Sequence, residues 1–91
     1  MGHIVSDRQK LLDRVRRIAG QVAAVERQLT GEADCSATLQ LVASVRGAVG
    51  GLMEELIESH VRDHVARPGL SDGERQAASE ELLALIRRYG K

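Results

Sequence analysis

The sequence contains no phenylalanine, no tryptophan and a single tyrosine, Tyr89. Proteins that hold single-stranded nucleic acid stack bases on aromatic side chains, and this chain lacks those platforms. The one cysteine, Cys35, rules out an internal disulfide framework and fits a reducing cytoplasm. No apolar run approaches membrane-spanning length, and the polar N-terminal stretch holds no secretory core, so the expectation is a soluble, cytoplasmic protein with no membrane partner. An excess of either charge is also missing. Thirteen Lys and Arg balance thirteen Asp and Glu, which removes any strong overall attraction to nucleic acid. With 91 residues the chain makes one domain, spanning 1–91, and a domain this small commonly needs a metal or a partner chain to complete its core.

The charges that are present are segregated. Arg8, Lys10, Arg14, Arg16 and Arg17 crowd one stretch, offset there by Asp7 and Asp13. Acidic residues gather later, at Glu54, Glu55 and Glu58 and again at Asp72, Glu74, Glu80 and Glu81. No segment alternates apolar and polar residues as a half-buried strand would, whereas helical spacing is clear. Leu11, Val15, Ile18, Val22, Val25 and Leu29 recur every three or four residues, a seam that calls for a partner helix. Ser6 and Gln9 have the spacing of a capping box, which predicts helix 1 over about 7–30 with Gly31 as its stop. Asp34 can cap a second helix over about 35–66, carrying Leu39, Val42, Val45, Val49, Leu52, Leu56 and Val65 and ended by Pro68-Gly69. Ser71 with Glu74 is another capping-box pair and opens a third helix over about 72–89. Gly47, Gly50 and Gly51 could break helix 2, since each glycine costs about 1 kcal/mol relative to alanine. The apolar register runs through them without proline or a turn cluster, so a continuous helix is expected, with small residues where another helix crosses closely.

A continuous helix has a consequence for chemistry. Cys35 and His60 would then stand roughly 37 Å apart at 1.5 Å per residue, too far to meet within one chain. A second copy lying antiparallel, with its dyad midway between Gly47 and Ala48, would bring Cys35 of one chain to His60 and His64 of the other. A short loop near residues 31–33 predicts that helices 1 and 2 pack antiparallel, which carries His3 toward the same end of helix 2. His60 and His64, four residues apart, share one helix face, a common arrangement for two metal ligands and also for two surface residues. Cys35 sits in the first turn, where the helix dipole favours an anion. It is the convergence of His3, Cys35, His60 and His64 that points to a metal site.

Arg14-Val15-Arg16-Arg17-Ile18 with Gly20-Gln21, then Asp34-Cys35, then Val45-Arg46-Gly47-Ala48 through Gly51-Leu52-Met53 to Glu58-Ser59-His60, resemble the CsoR/RcnR family of bacterial metal- and aldehyde-responsive repressors over nearly the whole chain. The resemblance implies an all-α fold: a three-helix protomer, an antiparallel four-helix-bundle dimer and a dimer of dimers. It implies a repressor that binds double-stranded operator DNA and releases it when its effector binds. Copper sensors of the family resemble this chain at Cys35 and His60 but have a second cysteine where His64 stands, and imidazole there moves preference away from Cu(I). The nickel/cobalt branch carries the same residues at His3, Cys35, His60 and His64, so nickel or cobalt is the implied effector, with zinc also suited to such donors. The formaldehyde branch keeps Cys35 and His60 but departs at Gly2, His3 and His64. Cys35 beside a free N-terminal amine could still form an aldehyde cross-link, which keeps that branch as the alternative.

Arg14, Arg16 and Arg17 on helix 1 and Arg46 on helix 2 are, by charge alone, compatible with a solvated face. The resemblance makes them the DNA-binding set. No helix-turn-helix signature is present, so the expected surface is assembled across protomers and reads phosphates and DNA shape more than single bases. Cys and His could serve nucleophilic catalysis, but nothing suggests an oxyanion hole or substrate pocket, so an enzyme is not expected. A metal-buffering helical oligomer is the remaining alternative, since it needs the ligands but not the arginines.

Overall fold

The computed structural model describes the backbone of residues 2–90 and the side chains of residues 7–90. It consists of three helices, α1 (Gly2–Thr30), α2 (Cys35–His64) and α3 (Asp72–Tyr89), with no strand among the described residues. The fold is all-α. The chain divides within α2 into two compact units, Met1–Met53 and Glu54–Lys91.

In the first unit α1 begins at Gly2, earlier than the start near Asp7 that the Ser6–Gln9 spacing suggests. A capping box is a local signal, and a helix that already has upstream turns bypasses it. The helix closes with the Gly31 amide donating to the Arg27 carbonyl at 3.0 Å. Asp34 then starts α2. Its Oδ1 accepts the Ala37 amide at 2.7 Å, satisfying one of the N–H groups that a helix start leaves without an internal partner. α2 passes through Gly47, Gly50 and Gly51 without a break.

The two helices of this unit are antiparallel. Near the loop, Thr38 Oγ1 donates to Gln28 Oε1 at 2.9 Å, and away from it the head of Arg14 lies against Gly51. The packed seam follows a 3.5-residue rhythm, with Leu11, Arg14, Ile18, Gln21, Val25 and Gln28 half-buried on α1. Leu41, Val45, Ala48 and Leu52 are their half-buried counterparts on α2. This revises the apolar seam expected for α1. Leu11, Ile18 and Val25 do pack, but Val15, Val22 and Leu29 are 45%, 51% and 71% exposed. One neighbouring helix covers one stripe, and α1 carries two.

The second unit contains the end of α2, a connection and α3. Gly69 in the Pro68-Gly69 turn has φ +89°, a left-handed conformation that a side chain would strain. The capping box of α3 is complete. The Glu74 amide donates to Ser71 Oγ at 3.1 Å, and the Ser71 amide donates to Glu74 Oε1 at 3.0 Å. The Ser71 backbone and side-chain hydrogen bonds hold the Glu74 carboxyl below its ordinary pKa. Arg75 reaches back, its Nε donating to the Val65 carbonyl at 2.6 Å and its Nη2 to the Arg67 carbonyl at 3.2 Å. A side chain of α3 therefore ties down the connection that follows α2. Ala78 is the one buried hydrophobic residue among those described.

Candidate metal centre and basic surface

Cys35 opens α2 and His64 closes it. The first turn that follows Asp34 leaves the Cys35 thiol exposed and free. It borders an open groove of about 340 Å³ whose walls are largely apolar, formed by Leu29, Leu39 and Val42 among others.

At the other end of the helix His60 and His64 lie one turn apart, with ring centroids separated by 5.2 Å and planes tilted by 50°. Two imidazoles bonded to one ion through nitrogens at about 2.1 Å would have ring centres about 5 Å apart. The separation of the two rings is of that order. His64 is exposed and His60 half-buried. His60 Nε2 lies 3.0 Å from the Ala78 carbonyl oxygen on α3. A carbonyl can only accept, so Nε2 carries the proton and donates, which in the neutral ring leaves Nδ1 as the unprotonated donor atom. Among the described residues no three His, Cys, Asp or Glu side chains form a metal-holding group within the chain. The His3 side chain lies outside the described residues.

The four arginines occupy different surroundings. Arg14 is half-buried in the α1 seam. Arg17, three residues on, shares its flank of the helix and is exposed. Arg16 lies about 200° around from Arg14 and forms an exposed ion pair with Asp13 at 3.8 Å. Arg46 is exposed on α2, in one row with Val42 and Val49. The basic stretch is thus two surfaces rather than one.

Three features of this arrangement escape a reading of residue types. The carbonyl that orients His60 belongs to an alanine, and backbone groups leave no mark in a sequence. Arg75 has the look of any helix-surface cation. Gly51 is one of three glycines in α2, and only its contact with Arg14 separates it from the others.

Comparison with known proteins agrees with this architecture. Residues 7–88 match the family described as metal-sensitive transcriptional repressor. An uncharacterised protein encoded in the bioA 5′ region of Serratia marcescens is 47% identical over 91 residues, all of both chains. The transcriptional repressor RcnR of Salmonella arizonae is 37% identical, again over the full length of both. A solved structure of the formaldehyde-responsive regulator FrmR from Salmonella enterica serovar Typhimurium, in a variant with one glutamate replaced by histidine, superposes with a TM-score of 0.87. It is 43% identical, and the match covers 92% of this chain and 94% of that one.

Proposed function

The chain belongs to the metal-sensitive transcriptional repressor family, a family without enzymatic activity, and on that premise we propose that it is a nickel- or cobalt-responsive repressor that releases operator DNA when the metal binds across a twofold dimer. The observation that carries this reading is the exposed face of α2. Leu39, Val42, Val49, Met53 and Leu56 are all 44% or more exposed. With Arg46 they make a row at spacings of three and four. The row is symmetric: Leu39 and Leu56, Val42 and Met53, and Arg46 and Val49 are pairs that share one midpoint, between Gly47 and Ala48. The same midpoint relates Cys35 to His60. An antiparallel copy laid along this row would set each residue against its symmetry mate, Leu39 against Leu56, Val42 against Met53 and Arg46 against Val49, as an isologous contact does, and would bring its Cys35 to His60 and His64.

The residues that would hold the metal are His60 and His64 from one protomer and Cys35 from the partner protomer, with His3 as a fourth donor. A bound ion would supply a positive centre that draws donors of two chains together. A set rich in imidazole with one thiolate suits nickel, cobalt and zinc better than Cu(I). The Ala78 carbonyl fixes the His60 tautomer, so α3 takes part in shaping the site. Arg14, Arg16 and Arg17 are the DNA-facing cations, on a homodimer or dimer of dimers in a cytoplasmic setting, and Arg46 joins them by extending its head beyond the edge of the paired row. Effector and DNA act against each other by linkage: the factor by which bound metal weakens DNA binding equals the factor by which bound DNA weakens metal binding.

Formaldehyde is the second reading, and one observation favours it. Cys35 is free, exposed and open to a groove, as a thiol that reacts with an aldehyde and an amine must be. The similarity to FrmR is of the same order as that to RcnR. Membership of a repressor family leaves the metal-buffering alternative without support. The deciding experiment is a gel shift on the DNA upstream of the gene, titrated in parallel with Ni(II), Co(II), Zn(II), Cu(I) and formaldehyde. Release by nickel or cobalt at the lowest free concentration is expected. Release by formaldehyde alone would transfer the protein to the second reading.

A further inference from the structure

We propose that Gly51 is a positioning residue for DNA binding: by carrying no side chain it gives the Arg14 guanidinium a fixed seat on the surface of α2. A methyl carbon placed on Gly51 would stand 2.7 Å from Arg14 Nη1 and 3.5 Å from its Cζ. The first distance is closer than real carbon atoms approach a neighbour, so any other residue at this position moves the guanidinium. The same methyl on Gly20, Gly47 or Gly50 meets nothing within 4 Å. Of the glycines in α2, only Gly51 has a space requirement to explain a residue that weakens helices.

The position of Arg14 gives that space its purpose. Arg14 falls between Leu11 and Ile18 in the row of α1 that packs against α2. A charged residue there is tolerated only if its stem lies along the seam and its head emerges. Gly51 stands where the head comes to rest. Arginine carries a large rotamer entropy, and a head held before binding loses less of it when a phosphate arrives. The seat also ties a DNA-facing cation directly to the helix that bears Cys35 at one end and His64 at the other. This inference rests on the reading of Arg14 as a DNA-binding residue.

The test is a double-mutant cycle on the full-length protein, with a labelled duplex copied from the DNA upstream of its gene and anisotropy as the readout. Gly51→Ala should fold, because the displaced atoms are the far end of a flexible side chain, and its melting temperature should match or exceed the parent's. Its affinity for the duplex should fall about three- to tenfold as Arg14 loses its preorganisation. In an Arg14→Ala background, Gly51→Ala should have no further effect. Arg14→Lys, which keeps the charge but lacks the planar head, should fall with Gly51→Ala rather than with the parent. Additive losses in the cycle would show that Gly51 matters for packing alone and would overturn the inference, as would parental affinity in Gly51→Ala or Arg14→Lys. Unchanged affinity in Arg14→Ala itself would remove Arg14 from the DNA surface, and the inference with it.

Discussion

If the site is shared between chains, two broken proteins can repair each other by a fixed amount. Take Cys35→Ala and the double variant His60→Ala, His64→Ala. Each alone should bind no metal at the site, because every copy of it lacks either the thiolate or both imidazoles. Mixed in equal amounts, unfolded and refolded together, the two should form heterodimers as half of all dimers. A heterodimer holds two sites. One combines both defects, and the other combines the intact Cys35 of one chain with the intact histidines of its partner. About a quarter of all sites should therefore return. Cobalt(II) is the probe, since its near-ultraviolet charge-transfer band reports a bound thiolate. The basis is the length of α2, which has Cys35 as its first residue and His64 as its last. A band that stays absent after mixing would refute the two-chain site. A normal band in the double histidine variant would show that these imidazoles are not the donors.

Other consequences are simpler to measure. Ser71→Ala removes the acceptor for the Glu74 amide and should lower stability by about 1 kcal/mol, read as a fall in melting temperature. The same box gives a pH dependence. The Glu74 pKa is depressed by its Ser71 hydrogen bonds, so its contribution is complete above the ordinary carboxylate range and fades as pH falls through the folded value. Between neutral and acid pH, Glu74→Gln should therefore flatten the loss of stability; an unchanged slope would count against the capping argument. Arg75→Ala removes two hydrogen bonds to the Val65 and Arg67 carbonyls and should cost about 1–2 kcal/mol, with faster amide exchange in the connection between α2 and α3 as its local signature. Binding to the upstream duplex should weaken steeply with salt, and Arg17→Ala should shallow that slope by about one for each phosphate the side chain neutralises.

The elements that were legible in the sequence are those fixed by neighbours in the chain. Asp34 and the Ser71–Glu74 pair cap their helices through bonds spanning three residues, so residue type and spacing suffice to find them. Pro68-Gly69 ends its segment because of what those two residues can adopt. What was not legible depends on residues far apart. The spacing of α1 presents one apolar band, and nothing local says that Arg14, Gln21 and Gln28 flank its packed edge while Val15, Val22 and Leu29 lie on the open one. His60 and His64 were visible as a pair, but the ring orientation follows from a carbonyl eighteen residues away. The small residues of α2 suggested close helix crossing, and within the chain that holds at Gly51 and not at Gly47 or Gly50.

The open stripes bear on how sensing and assembly are joined. The five apolar residues of the α2 row are about half exposed, so covering each recovers about 1 kcal/mol, or about 10 kcal/mol for the ten in a symmetric pair. Association itself costs about 4–15 kcal/mol before anything else is counted. The α2 row alone is therefore close to balance, and a pairing of two single helices would be weak. Val15, Val22 and Leu29 of α1 add six further side chains per pair, which favours a bundle in which both helices of each chain contribute. A donor set divided between two chains then has a direct effect on assembly. It exists only in the paired state, so ligand binding stabilises that state by mass action. The exposed faces of α1 and α2 would then serve the proposed effector site as much as the fold, because the same pairing that covers them would complete the set of Cys35, His60 and His64.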